Sequence, residues 1–216
     1  MLSLITNPDR FFGELKEGEP NLKKPATIVV LLAAFAAYYQ FRLVMKLSTA
    51  LPDDLARFFE AGAYINAVSS VIGIFAVWFV TAAIMHGLSA FFDGRGEFKR
   101  TFEFTGYGFL PSLFGSAISI PISLNYMEKV VMPKVSAEDL TADPGILAKT
   151  ILKQIPTGYL HSALVLNIAV TIWSLLIWNF AIKNARELDG RRSLICAAIP
   201  TAIFGGYQIL SLISIG

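Results

Sequence analysis

Five long runs of this 216-residue chain contain no Asp, Glu, Lys or Arg: residues 25–41, 61–92, 104–127, 154–182 and 193–216. Crossing a hydrocarbon layer about 30 Å thick takes about 20 mostly apolar residues in a helix, and each run approaches or exceeds that length. A soluble helix keeps charge along one face, whereas these runs are apolar all round. Charged residues make up 16% of the chain, below the roughly 25% of an average soluble domain. The expected fold is an all-α membrane protein: a bundle of about five transmembrane helices with short interfacial amphipathic helices. Residues 1–24 hold no long apolar core with a small-residue cleavage site after it, so the first run reads as a retained span rather than a secretory signal. The chain divides into an amphipathic N-terminal segment, 1–24, and a five-span domain, 25–216.

The remaining charges set an orientation. On the side of the N-terminus lie eleven basic residues: Arg10, Lys16, Lys23, Lys24, Arg95, Lys99, Arg100, Lys183, Arg186, Arg191 and Arg192. The opposite side carries six: Lys46, Arg57, Lys129, Lys134, Lys149 and Lys153. Basic residues beside span ends favour the cytoplasm. The expected location is the cell membrane, with the N-terminus cytoplasmic and the C-terminus outside. These charges are expected to meet anionic headgroups at about 1 kcal/mol each, which makes membrane lipids the first expected partners. A net charge of +2 does not point to nucleic acid.

Residues 1–20 read as a surface helix. Asn7 can cap it, Pro8 suits its first position, and Asp9 complements its dipole. Phe11, Phe12 and Leu15 share one face, and Gly18 and Pro20 stop the helix. Beside a span, such a helix is expected to lie in the membrane interface as an anchor; binding an unknown protein partner is the alternative. A second interfacial helix is expected over 48–60, around Pro52, Asp53 and Asp54. A third is expected over 143–156, opened by Asp143 and Pro144 and carrying Ile146, Leu147, Ile151, Leu152 and Ile155. The spans are then expected at about 25–46, 65–91, 102–126, 158–182 and 194–215.

The third span is the most unusual. Pro111 and Pro121 each delete a helical hydrogen bond and can kink it. Gly108, Ser112 and Ser116 form one row at four-residue spacing, and Gly115, Ser119 and Ser123 form another. Such rows let helix backbones approach closely, within one bundle or in a homo-oligomer. Packing at the bundle centre is the favoured reading. The alternative is a channel or small-solute transporter, with this span lining a water-filled path and Arg42 and Asn125 near its outer end. Arg42, in the last turns of the first span, is expected to snorkel to the headgroups, or else to face the interior.

Catalytic patterns are missing. His86 and His161 fall on opposite sides of the membrane, and zinc needs three or four convergent ligands. Cys196 is the lone cysteine and lies in the last span, which leaves no partner for a disulfide within the chain. There is no phosphate loop or nucleophile elbow. Glu103 and Asp93 sit at the membrane boundary rather than at its centre. The chain therefore reads as a non-enzyme, without metal or cofactor.

A family likeness rests on short motifs. The opening Asn7-Pro8-Asp9-Arg10-Phe11-Phe12, followed by Gly18-Glu19-Pro20 and then Lys24-Pro25 at the first span, resembles prokaryotic members of the Ypt-interacting-protein (YIP) domain family. Thr101-Phe102 with Gly106-Tyr107-Gly108-Phe109-Leu110-Pro111 resembles that family's glycine-tyrosine stretch. The resemblance covers nearly the whole chain and implies a five-span, multi-pass scaffold of a prokaryotic plasma membrane. It marks Gly106, Tyr107, Gly108 and Pro111 as candidates. Eukaryotic members of the family are linked to small Rab-type GTPases, vesicle trafficking and membrane shaping. This chain lacks their Asp-Leu-Tyr-Gly-Pro string and has only about 24 residues before the first span, so GTPase binding is left open. The function expected is membrane organisation or shaping, or scaffolding of partners.

Overall fold

Inside a membrane the backbone must satisfy its own hydrogen bonds, and for a single stretch of chain the α-helix does so. A computed structural model of the chain describes residues 2–143 and 145–215, with the backbone alone at 147 and 215, and all regular structure in them is helical. The helices are α1 (Leu2–Thr6), α2 (Pro8–Lys16), α3 (Lys23–Ser48), α4 (Asp53–Ala90), α5 (Phe98–Tyr107), α6 (Leu110–Lys129), α7 (Ala137–Ala142), α8 (Ile146–Leu152), α9 (Thr157–Arg186) and α10 (Gly190–Ile215). Five stretches are long and apolar enough to cross a membrane: Lys23–Ser48, Asp53–Ala90, Phe98–Lys129, Thr157–Arg186 and Gly190–Ser214. In the most apolar part of each, no more than 33% of residues are buried within the protein. The bulk of that apolar surface faces outward, as contact with lipid requires.

α3 packs along α4, and α9 along α10. α5 sits among α3, α4 and α9, and α6 continues between α3 and α9. The core gathers Ile28, Val29, Trp78, Met85, Phe104, Tyr107, Ile177 and Ile182, which places it around α5. The third span is thus the central one, as its small residues imply.

The helix boundaries depart from expectation in three places. No separate helix covers 48–60: α4 starts at Asp53, behind the extended Pro52, and runs unbroken for 38 residues. Gly62 alone, at about 1 kcal/mol, does not stop it. The helix is about 57 Å long, so it reaches well past a 30 Å hydrocarbon layer. The third span breaks at Gly108–Phe109. Pro111 has no N–H for the Tyr107 carbonyl, and the chain tightens, with the Gly108 N–H bonding to the Thr105 carbonyl (3.0 Å) and the Phe109 N–H to that of Gly106 (3.3 Å). Pro121, by contrast, sits within α6 without ending it. The third expected interfacial helix, over 143–156, is present but shorter, as α8, and α7 ahead of it is a further short helix that was not expected. Ser136 and Asp139 cap α7 reciprocally, and Ser136-Ala137-Glu138-Asp139 is a capping-box pattern readable in the sequence. Pro144, half of the expected helix start, lies outside the described residues, as do the side chain of Leu147 and the terminal Gly216.

Candidate functional site

The break in the third span leaves the glycine-tyrosine stretch where three helices meet. A buried indole N–H needs an acceptor, and α5 supplies two. Trp78 Nε1 of α4 donates to the Phe102 carbonyl, and Trp178 Nε1 of α9 donates to the Thr105 carbonyl, both at 2.9 Å. The two glycines make room for these rings. A Cβ at position 106 would lie 2.6 Å from Pro25 Cβ and 2.9 Å from Trp78 Cζ2, and one at position 108 would overlap the Trp178 indole. Tyr107, between them, is buried and meets the Phe11 ring edge-on at 5.2 Å and the Phe12 ring at 6.1 Å. Phe12 also packs on Phe104 at 4.8 Å. The motif therefore joins α3, α4, α5 and α9 to the N-terminal helix.

This arrangement corrects the expected position of that helix. Asn7 caps α2 through Oδ1, which accepts the Arg10 N–H at 3.2 Å, with Pro8 and Asp9 in the first turn and Lys16 at the end, as the sequence predicts. The apolar face, however, turns onto the protein. Phe12 and Leu4 are 0% exposed, and Phe11 and Leu15 pack against the core. Polar contacts hold both ends of α2. Asp9 accepts from Lys183 Nζ (2.7 Å) and Asn184 Nδ2 (2.9 Å) on α9, and Lys16 pairs with Glu187 (2.7 Å). Arg100 Nη1 donates to the Leu15 carbonyl, and its Nη2 to those of Lys16 and Gly18. A guanidinium there faces the negative end of the helix dipole. Hydrogen bonds from Lys183 and then Asn184 hold the Asp9 carboxyl below its ordinary range, and that from Lys16 does the same for Glu187.

Two charged groups are buried at the same end. Glu103 is 0% exposed; its Oε2 accepts from Arg100 Nη1 at 2.7 Å, while its buried Oε1 has no hydrogen-bond partner among the described residues. Arg186, 5% exposed, donates to Ser89 Oγ (2.7 Å) and to the Gly94 (2.5 Å) and Gly96 carbonyls. It ties the 93–97 turn to the end of α9. In that turn Gly96 adopts φ +107° and has the Ala185 carbonyl where a Cβ would sit. Lys16, Arg100, Lys183 and Arg186, expected at headgroups, are thus engaged within the protein. Sequence reasoning missed Arg100, Glu103, Arg186 and the Asp9–Lys183 pair. Only Arg100 and Glu103 carried a local signal, as opposite charges three residues apart on a helix.

The other candidates are dispersed. Pro111 is buried at the break and Ser112 is half-buried, whereas Pro121 and Asn125 are exposed on α6. Gly115 admits Val170 of α9, whose Cγ2 would lie 2.8 Å from a Cβ there, and Ser123 Oγ meets Tyr159 OH at 2.5 Å, so one small-residue row packs on α9. Arg42 donates to Tyr38 OH at 3.0 Å and pairs with Glu128 at 3.4 Å, with its side chain 39% exposed. Its partners are therefore on α3 and α6 at the end opposite the N-terminus. His86 Nδ1 lies 3.0 Å from Thr101 Oγ1. Among the described residues no cluster of His, Cys, Asp and Glu is placed to hold a metal.

Comparison with known proteins adds three findings. The model of the Yip1 domain family matches residues 2–213. An uncharacterized protein of Methanocaldococcus jannaschii is 37% identical over 133 residues, covering 60% of this chain and 92% of the relative. No solved structure matches.

Proposed function

This chain belongs to the Yip1 domain family, and from that premise we propose that it is a non-catalytic protein of the cell membrane. In this reading it organises or shapes the bilayer, or scaffolds partners, through the face that α1 and α2 build over the bundle. The supporting observation is the docking of α2, pinned at Asp9, Lys16 and Arg100 and sealed by Phe12. A helix so held presents a fixed surface, with Arg10 and Glu14 exposed. The eleven basic residues at this end support a cytoplasmic placement, with the C-terminus outside. The kinked third span, the basis of the channel alternative, spends its glycines and carbonyls on Trp78 and Trp178.

The test is reconstitution into liposomes, read by cryo-electron microscopy for vesicle shape and clustering and by flux of ions and small solutes. The expected result is altered vesicle shape or clustering without flux, weakened when Phe12→Ser loosens α2. Flux that responds to Arg42→Ala, or vesicles indistinguishable from protein-free ones, would count against the reading.

A further inference from the structure

At the end of the bundle away from the N-terminus, α3, α6 and α9 part around a cavity of about 280 Å³ that opens to the surface. Tyr39, Leu43, Met127, Ile151, Ile155 and Tyr159 line it. α8 and the 130–132 segment form its roof. Gln154 clamps that roof, accepting the Val131 N–H at 3.0 Å and donating to the Val131 carbonyl at 2.9 Å. Ser123 and Tyr159 satisfy each other's hydroxyls. Gln154, Ser123 and Tyr159 are thus engaged with neighbours, and the lining is otherwise mostly apolar, with the Tyr39 and Tyr126 rings and Lys129 among it.

One cation stands beside this interior. Lys129 belongs to the lining, with its Nζ 5.8 Å from the centroid of the Tyr126 ring. It pairs with no carboxylate among the described residues. Its neighbour Glu128 is taken by Arg42. The rings of Tyr126 and Tyr159, 4.7 Å apart, mark the depth, because tyrosines gather at the membrane–water boundary.

We propose that this cavity holds one acyl chain of an anionic phospholipid, with the phosphate against Lys129. An apolar cavity is a poor site for water. At the boundary of a bilayer, phospholipid chains are the apolar groups at hand. The volume falls just below the range of about 300–1,000 Å³ typical of small-molecule sites, which suits one chain with its headgroup outside. Met127 and Met132 give the wall the adaptability that a flexible chain requires. The site lies at the opposite end of the bundle from the α2 face and stands or falls independently of the membrane-organising role.

The test uses the purified full chain and a phosphatidylglycerol carrying a photoreactive diazirine midway along one chain. After irradiation, the label is expected on peptides containing residues 127–132 and 151–159. Unlabelled phosphatidylglycerol is expected to compete about fivefold better than phosphatidylcholine, the effect of one basic residue on an anionic lipid, and Lys129→Gln to remove that preference. Met127→Trp fills the cavity and is expected to lower labelling there about tenfold, with Ile155→Phe as a second variant should the first fail to fold. Label spread evenly over the lipid-facing sides of α4 and α10 would overturn the proposal. So would equal competition by the two lipids, or full labelling of a folded, cavity-filled variant.

Discussion

The indole N–H of Trp178 donates to the Thr105 carbonyl at 2.9 Å, and the same ring occupies the space that a side chain at position 108 would need. The hydrogen bond and the missing Cβ are two halves of one contact between α9 and the broken third span. Replacing Gly108 by Ala therefore forces the ring off its acceptor. Gly108→Ala is expected to cost about 1–3 kcal/mol, as overpacking does. Combining it with Trp178→Phe should cost clearly less than the sum of the two single changes, because residues in contact are not additive. Unfolding in mixed micelles, followed by circular dichroism, checks both.

Arg100 holds a buried carboxylate on one side and the end of α2 on the other. Arg100→Gln strands Glu103 and is expected to cost about 3–5 kcal/mol, the usual penalty for an unpaired buried charge. Adding Glu103→Gln removes the stranded charge, so the double variant should regain most of that loss. The same unfolding measurement reads it. Recovery of stability without recovery of α2 docking is the further expectation, since Gln at position 100 cannot reach three carbonyls as a guanidinium does.

Docking of α2 should also depend on acid. The folded protein lowers the carboxyl pKa of Asp9 and of Glu187 from ordinary values of 3.8 and 4.5. Groups lowered in this way contribute stability that is present above the ordinary value and is lost as pH falls through the folded one. The docked helix is thus expected to be insensitive to pH near neutrality and to loosen only below the ordinary carboxyl range. Amide hydrogen exchange of residues 8–16 as a function of pH measures this. Asp9→Asn should show weaker protection at neutral pH and a smaller change on acidification.

Arg42→Ala is expected to change stability by less than about 1 kcal/mol, because its partner Glu128 is exposed and such pairs are weak. Reconstituted protein carrying the change should show no altered solute flux. Thermal unfolding and a flux assay on the same preparation read the two outcomes.

The bundle itself was legible in the sequence because span length and the absence of charge are local properties. Asn7, Pro8 and Gly18 likewise placed α2 correctly, since caps and stops act within a turn. What α2 packs against was not legible. Phe11, Phe12 and Leu15 make an apolar face that suits a headgroup layer or a protein groove equally well. The choice is made by Lys183, 174 residues beyond its partner Asp9, and by Arg100, 85 residues beyond the Leu15 carbonyl it meets; the one local signal, the spacing of Arg100 and Glu103, says nothing of α2. Gly106 and Gly108 stood out by spacing and family likeness, but their reason, the two tryptophans, lies on other helices. Asp53 to Ala90 shows the opposite limit: Pro52 and two acids look like the start of a short helix, and nothing after them ends it.

α2 belongs to the bundle rather than floating in the membrane interface. A Cβ at position 13 would lie 3.7 Å from Asn184 Oδ1, so side chains at the two positions are neighbours. The most direct measurement is cross-linking in native membranes of a Gly13→Cys, Asn184→Cys variant, with Cys196→Ala to remove the other thiol. With a mild oxidant such as copper phenanthroline added to the membranes to take up the two electrons, the expected result is a disulfide between the two thiols and a Phe12 region shielded from lipid. Absence of the disulfide, with Phe12→Cys in a separate variant labelled by a lipid-soluble thiol reagent, would contradict the docking of α2.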